Sequence, residues 1–413
     1  MGKRYIRKDL FSKLWKVLKG PINLIQVVVG PRQVGKTTLA LQIFDKWSGP
    51  KIYGTADQPA ISSLEWIASQ WEKARILQKE QKQDILLILD EIQKIPKWSE
   101  LVKKLYDEDR RRKYKIRVIL LGSSALLVQK GLSESLAGRF ELHRHNQWSL
   151  KECQECFGLS FEEYVYFGGY PGALTIREDE IRWAKYIRDS LIETVLAKDV
   201  LLMTPVTKPA LLRQTFGLSV THPAQILSYQ KMLGTLQDAG NTTTIASYLK
   251  LLSNAFLVVP IERWSGSKIR QRGSIPKIIV LDNALVSAML GNSFQETLNN
   301  RVLWGRFIEN LVGARLYMLM SDLGGEVFYW QERQNEIDYV IRRGTNIIAI
   351  EVKSGIPDKK PSAFTIFDRK YRPTGKVVIS PMETDEIDSI KNIKIEDFFK
   401  QPEKILGKMG SNL

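Results

Sequence analysis

Gly30 to Thr37 read Gly-Pro-Arg-Gln-Val-Gly-Lys-Thr, a full match to the spacing G-x-x-x-x-G-K-[ST]. Glycines so placed let a loop curl until its backbone N–H groups face inward and cradle phosphate oxygens. Lys36 can reach β- and γ-phosphates, and the Thr37 hydroxyl can hold Mg²⁺. Gly30, Pro31, Arg32, Gln33, Val34, Gly35, Lys36, Thr37 and the following Thr38 are the expected ATP-binding loop. A Gly-rich turn before a helix is the plain alternative. Further on, the apolar run Ile85 to Leu89 ends in Asp90-Glu91. Asp90 is expected to hold the Mg²⁺ shell and Glu91 to polarise the attacking water as general base. A third apolar run, Ile116 to Leu121, ends in Gly122-Ser123-Ser124. Ser123 or Ser124 either contacts the γ-phosphate and orients the water, or caps the next helix.

A second set of chemically capable residues lies near the C-terminus. Glu336 to Ile341 and Ile347 to Lys353 read as strands joined by the turn Arg343-Gly344-Thr345-Asn346. Asp338 near the start of one strand and Glu351-x-Lys353 at the end of its partner can converge on one face. Glu351 and Lys353, two apart, point the same way. With Glu309, near the start of a helix opened by Trp304 to Val312, the set has three carboxylates, an oxygen set suited to Mg²⁺ or Mn²⁺. Lys353 would orient or help deprotonate a metal-bound water for attack on a phosphodiester. A salt-bridged hairpin would also place Asp, Glu and Lys on two strands.

These residues need particular elements to carry them. The β-branched run Ile25 to Val29 before the loop is strand-like, and Thr37 to Gln42 after it suits a helix, so the loop sits between strand and helix. The continuous apolar runs predict buried parallel strands that deliver Asp90 and Glu91 at their C-terminal edge, where open α/β sheets bind ligands. A helix is expected around Ile61 to Glu80. In the middle of the chain, Glu178 to Lys208 reads helical, with Pro205 and Pro209 breaking the pattern. Ala224 to Ala239 and Thr243 to Leu252 read as two helices around a Gly240-Asn241 turn. Strands Phe256 to Ile261 and Lys277 to Leu281 then flank a basic tip, Arg263 to Arg272. That order predicts a helix-turn-helix with a wing, either touching DNA phosphates or packing beside the core.

Arg32 to Thr38, Leu89 to Gln93 and Leu136 to Phe140 resemble the AAA+ ATPases, and more closely a large prokaryotic set reading Gly-Arg-x-x-Val-Gly-Lys-Thr-Thr, Leu-Asp-Glu-Ile-Gln and Leu-Ala-Gly-Arg-Phe. The turn Phe167-Gly168-Gly169-Tyr170-Pro171-Gly172 extends the match. The resemblance implies a sensor at Ser123 or Ser124. It also implies Arg139 as an arginine finger acting on a neighbouring subunit's ATP, and hence a homo-oligomer; a surface ion pair is the alternative for Arg139. The C-terminal set resembles the restriction-endonuclease-like nucleases with the PD-(D/E)XK signature, a module that set of ATPases commonly carries. Residue by residue it implies Glu309, Asp338, Glu351 and Lys353 as the site, with Asn335 and Glu336 standing where the signature has Pro. The expected fold class is therefore α/β: a P-loop AAA+ parallel-sheet core at 1–175, a helical and winged-helix middle at 176–285, and a small PD-(D/E)XK nuclease-like domain at 286–413.

Length and composition agree with such a division. A chain of 413 residues exceeds one typical core, and 44% hydrophobic with 26% charged residues is ordinary for a globular protein. No apolar run approaches the roughly 18 residues that span a bilayer. The N-terminal charge of Lys3, Arg4, Arg7 and Lys8 is not followed by an apolar signal core. Instead Ile6, Leu10, Phe11, Leu14, Trp15 and Leu18 form a helical stripe expected to pack on the ATPase core. Lys and Arg number 61 against 45 Asp and Glu, a net charge of +16, pointing to DNA as partner or to a solvated basic surface like that of a heat-adapted protein. Arg110 to Lys113 reads as a solvated helix end. Two cysteines exclude a disulfide framework and fit a reducing, cytoplasmic setting. His143, His145, Cys153 and Cys156 have zinc-capable side chains, but their order and gap favour a strand followed by a helix with packed cysteines.

Overall fold

The computed structural model describes residues 5–22, 24–57, 63–122, 135–201, 206–236, 241–266, 274–355, 362–382 and 389–403. The chain divides into two compact units, 1–147 and 148–413. The boundaries expected at 175 and 285 therefore both fall within the second unit.

The first unit runs α1 (Lys8–Lys19), β1 (Ile25–Val29), α2 (Lys36–Lys46), β2 (Lys51–Thr55), α3 (Leu64–Gln81), β3 (Ile85–Asp90), α4 (Trp98–Arg112), β4 (Ile116–Gly122) and β5 (Phe140–Arg144). Its five strands are all parallel, in the order β2-β3-β4-β1-β5. Every residue of β1 and β3 is buried, as expected of strands covered on both faces. Phe11, Leu14 and Leu18 of α1 pack with Leu39, Ile43, Ile88 and Ile119, with Leu10 and Trp15 at the margin. The expected stripe thus closes this core, except for Ile6, which is exposed. Asp109 of α4 accepts from Trp71 Nε1 at 2.6 Å and Arg75 Nε at 2.8 Å, tying α3 to α4 through a buried charge pair. Arg110 to Lys113 are exposed, as the sequence indicates.

The second unit holds an eight-stranded mixed sheet: β6 (Gln225–Ile226), β7 (Val258–Arg263), β8 (Lys277–Val280), β9 (Glu326–Glu332), β10 (Asn335–Arg343), β11 (Asn346–Val352), β12 (Gly375–Ser380) and β13 (Ile390–Lys394). Their order is β13-β12-β11-β10-β9-β7-β8-β6. β9, β10 and β11 form antiparallel pairs, and β11, β12 and β13 run parallel. The hairpin turn at Gly344-Thr345 is as expected, with Arg343 opposite Asn346. Helix Glu180–Tyr186 continues in π turns over Ile187–Ile192 and Val195–Val200. The wider π turn suits the four-residue spacing of buried Ile187, Leu191 and Val195.

The middle differs from expectation in two places. Ala224 to Leu236 is not one helix, and the rest of that expected helix with Gly240 lies outside the described residues. Gln225 and Ile226 pair with Ile278 and Lys277 as β6, and the helix begins only at Tyr229, capped by Ser228 Oγ accepting from Lys231 N. Strand pairing and a cap together override the helical pattern. An unanticipated helix, Pro209–Thr221, starts on its proline, where the missing N–H costs nothing. Helix Thr242–Asn254 follows as expected. Pro205 and residues 267–273 of the basic tip lie outside the described residues.

Candidate functional site

In the first unit the loop after β1 delivers its groups to the C-terminal edge of the parallel sheet. Gly35 opens α2 with φ of 97°, a left-handed backbone that favours glycine. A Cβ at Gly30 would collide with the His145 carbonyl oxygen, so the loop's first glycine allows β1 and the end of β5 to approach. The loop is braced from behind by His145, whose Nε2 donates to the Val34 carbonyl at 3.0 Å. Burial, then nearby Arg7, holds His145 well below the usual imidazole range, so it acts as a neutral strut. Lys36 Nζ lies over the loop and donates to the carbonyls of Gly30 (2.9 Å) and Pro31 (2.6 Å).

The Thr37 hydroxyl donates to Asp90 Oδ2 at 2.7 Å, and Tyr53 OH donates to the same oxygen at 2.9 Å. Burial and then the charge of Asp90 raise the Tyr53 phenol, which stays a donor. Asp90 Oδ1 accepts from Glu91 N at 2.8 Å, and Glu91 takes a left-handed φ of 54°. Glu91 Oε2 accepts from Gln93 Nε2 at 2.7 Å. The hydroxyl and carboxylate assigned to Mg²⁺ therefore already share one point, and this donor set fits a hard cation. Gln93 closes the Leu89 to Gln93 match without a role read from sequence, and Tyr53 was not singled out; nothing local marks a strand tyrosine 37 residues before its carboxylate partner.

Arg139 donates to Asp107 of α4 through Nε (2.8 Å) and Nη2 (3.1 Å), a two-point pair that remains about one-third exposed. Arg110 and Arg111 line the open cleft beside it. Ser123 and Ser124 lie outside the described residues. His143 pairs with Gln26 at 2.6 Å. Neither histidine belongs to a metal-capable group among the described residues.

In the second unit, helix Arg301–Leu323 presents Glu309, β10 presents Glu336 and Asp338, and β11 presents Glu351 near its end, with Lys353 the first residue after the strand. Carboxylate oxygens of Glu309, Glu336 and Asp338 lie within 4.8 Å of one another. Their shared centre holds Lys277, the first residue of β8, whose side chain is fully buried. Its Nζ is 2.6 Å from Glu309 Oε1, 3.1 Å from Glu336 Oε1 and 3.6 Å from Asp338 Oδ1, and it donates to the Asp338 carbonyl at 3.3 Å. Burial opposes this charge, but Glu309 and then Asp338 outweigh it and raise the lysine well above its usual range. Glu351 is bound instead by Lys353 at 3.0 Å, and Asp338 Oδ2 accepts from Val352 N at 2.7 Å. Burial, then the charge of Asp338, pushes Glu351 up to about 8.

Two local devices build this centre. β10 carries one extra residue against β9: Ile337 faces Trp330 and Val340 faces Phe328. Ile337 and Val340 both enter the core with Phe364 and Phe367, while Tyr339 OH donates to the Glu309 carbonyl at 2.7 Å. Such bulges re-aim side chains beside functional sites. The Asn310 side chain accepts from Val280 N and donates to Val280 O, both at 2.8 Å, as an adjoining strand would. It locks β8, and so Lys277, to the helix that carries Glu309.

Of the expected nuclease-type residues, Glu309 and Asp338 share one point. Glu336 joins them, which the sequence reading passed over although it stands two before Asp338 on the same strand face. With an ammonium at their centre, these residues as arranged do not fit a divalent cation. The one sequence signal for Lys277 is a lysine leading an otherwise apolar strand, Lys277 to Leu281.

Residues 23–165 match the family model of an AAA domain. Residues 158–296 and 304–398 match two domains of unknown function, DUF8612 and DUF4143. No curated protein matches the chain. Among solved structures, the chain is similar to the Aeropyrum pernix ORC1 protein in complex with DNA, at 12% identity over 71% of this chain and 94% of that chain, with a TM-score of 0.31. It is similar to a RuvB variant from Thermotoga maritima at 15% identity, 66% and 92% coverage and a TM-score of 0.34. AMPPCP-bound DnaA from Aquifex aeolicus gives 16% identity, 60% and 89% coverage and a TM-score of 0.31. Residues 23–165 thus form a nucleotide-binding P-loop AAA domain. No described helix is long and apolar enough to cross a membrane.

Proposed function

We propose that this protein binds and hydrolyses ATP and acts on DNA through the rest of its chain. The observation that carries the ATPase assignment is the contact of the Thr37 hydroxyl with Asp90 at 2.7 Å, at a sheet edge that also bears Lys36 and Glu91. Thr37 and Asp90 would hold Mg²⁺, which supplies charge neutralisation on the β- and γ-phosphates. Loop N–H groups and Lys36 bind the phosphates, Lys36 exchanging its carbonyl partners for phosphate oxygens. Glu91, held by Gln93, takes the proton from the attacking water. Arg139 is the proposed finger acting between subunits of a homo-oligomer, released from Asp107 when it does so. Lys36→Ala is expected to abolish nucleotide binding. Glu91→Gln is expected to keep binding and lose roughly 10²- to 10⁴-fold in turnover. Unchanged hydrolysis in both would sink the assignment.

A division into three modules, read at 1–175, 176–285 and 286–413, is supported in number by three successive family matches, over 23–165, 158–296 and 304–398. In the middle module, three helices with the antiparallel set β7-β8-β6 support a winged helix. The net charge of +16 supports DNA as its partner. In the last module, one helix, strands β9 to β11, a second helix and β12 support a restriction-endonuclease-like plan, with Glu309, Asp338, Glu351 and Lys353 on the elements that plan requires. Lys277 favours the alternative in which this module binds nucleic acid or protein without cutting.

A further inference from the structure

Resting on the nuclease-type plan proposed above, we infer that Lys277 holds the cation position of the C-terminal centre. The acidic cluster is complete without a divalent ion and accepts one only when the ammonium is removed. Three observations converge on this. The side chain is fully buried and reaches three carboxylates and one backbone carbonyl. A buried charge persists only when so compensated. Magnesium needs oxygens at about 2.1 Å on all sides, so ion and ammonium cannot share the point.

The second observation is formal charge. Lys277 meets Glu309, Glu336 and Asp338 together, whereas Arg306 pairs with Glu309 and Lys353 with Glu351. Without Lys277 the three carboxyl groups that share one point lose the positive charge common to them, and a divalent ion can take its place. The third is fixation. Lys277 pairs with Ile261 on one side and Ile226 on the other, and Asn310 clamps Val280 three residues on. Tyr339 walls the amine, its ring centroid 5.1 Å from Nζ. Backbone pairing on both sides fixes where the lysine stem starts, and the Tyr339 ring and the three carboxyl groups fix where its ammonium ends.

The test uses the whole chain, nucleotide-free and EDTA-treated, titrated with Mn²⁺. Bound metal is followed by its paramagnetic resonance signal and folding by the thermal midpoint. Wild type should take up no Mn²⁺ that Asp338→Asn abolishes, and its midpoint should not move. Lys277→Met should melt earlier in EDTA, bind one equivalent of Mn²⁺ and recover several degrees with it. Adding Asp338→Asn should remove both effects. Should Lys277→Met refold poorly, refolding yield with Mn²⁺ against EDTA reads the same dependence, because a merely structural lysine gives equal yields. Asp338-dependent Mn²⁺ uptake by wild type would overturn the inference and leave the nuclease-type plan standing. A folded Lys277→Met that ignores Mn²⁺ would overturn the plan itself.

Discussion

Arg139 commits one edge of its guanidinium, Nε and Nη2, to Asp107 and gives Nη1 to the Ala137 carbonyl, yet a third of the side chain meets solvent beside Arg110 and Arg111. A finger must be able to leave such a pair, and a part-exposed one is weakly held because water screens it. Arg139→Ala is expected to lower ATP turnover by on the order of 10³-fold, with little change in melting temperature. Asp107→Ala should leave turnover intact or raise it by freeing the finger. Full, concentration-independent turnover in Arg139→Ala would refute the role. At this scale the sequence was most legible where chemistry is local. Gly30 to Thr37 and Asp90-Glu91 each lie within a few residues, so spacing alone specifies them. Lys277 was illegible because its partners Glu309 and Glu336 lie tens of residues away on other elements, and only the folded sheet brings them together.

Among elements, the turn around Gly169 and helix Asn283–Leu290 meet through one buried carboxyl. Asp282 Oδ2 accepts from Gly169 N and Oδ1 from Ala284 N, both at 2.9 Å. Burial raises this acid to about 7 despite both donors. Between about pH 4 and 7 the folded chain therefore holds a proton that the unfolded chain has lost. Stability from this group is full below pH 4 and declines as pH rises through 7, by at most about 4 kcal/mol. Asp282→Asn lacks that titration and turns an N–H toward one of the two donors, so it should be less stable than wild type. Its deficit should shrink from acid to neutral pH, read as the difference in melting temperature. A deficit independent of pH would contradict this. The turn was recognisable in sequence, but its partner was not, because a capping aspartate more than a hundred residues away leaves no local mark. Of the elements missed, β6 is two residues long, too short for any periodicity.

For the molecule as a whole, the excess of 16 positive charges sets an expectation that no single contact does. Binding to duplex DNA should weaken by about tenfold or more between 50 and 200 mM salt, since each neutralised phosphate releases counterions. Fluorescence anisotropy with a labelled duplex reads this directly; salt-independent affinity would mean the charge is merely solvating. The parallel-sheet core was legible at this scale because buried parallel strands read as unbroken apolar runs. The joining of β7 to β9 in one eight-stranded sheet was not, because it rests on two residue pairs, Glu262 with Phe328 and Arg263 with Tyr329.

The additional residue in β10 has a consequence for how this protein can change over generations. A regular strand sends neighbours to opposite faces, so Asp338 and Tyr339 could not both serve the helix side while Ile337 and Val340 serve the core. Point substitutions adjust one side chain at a time and leave that arrangement standing. Loss of a single codon would restore the alternation and force one of the two functions to the wrong face. The centre is thus protected by strand length as much as by residue identity, and descendants that vary freely in side chains should keep the count.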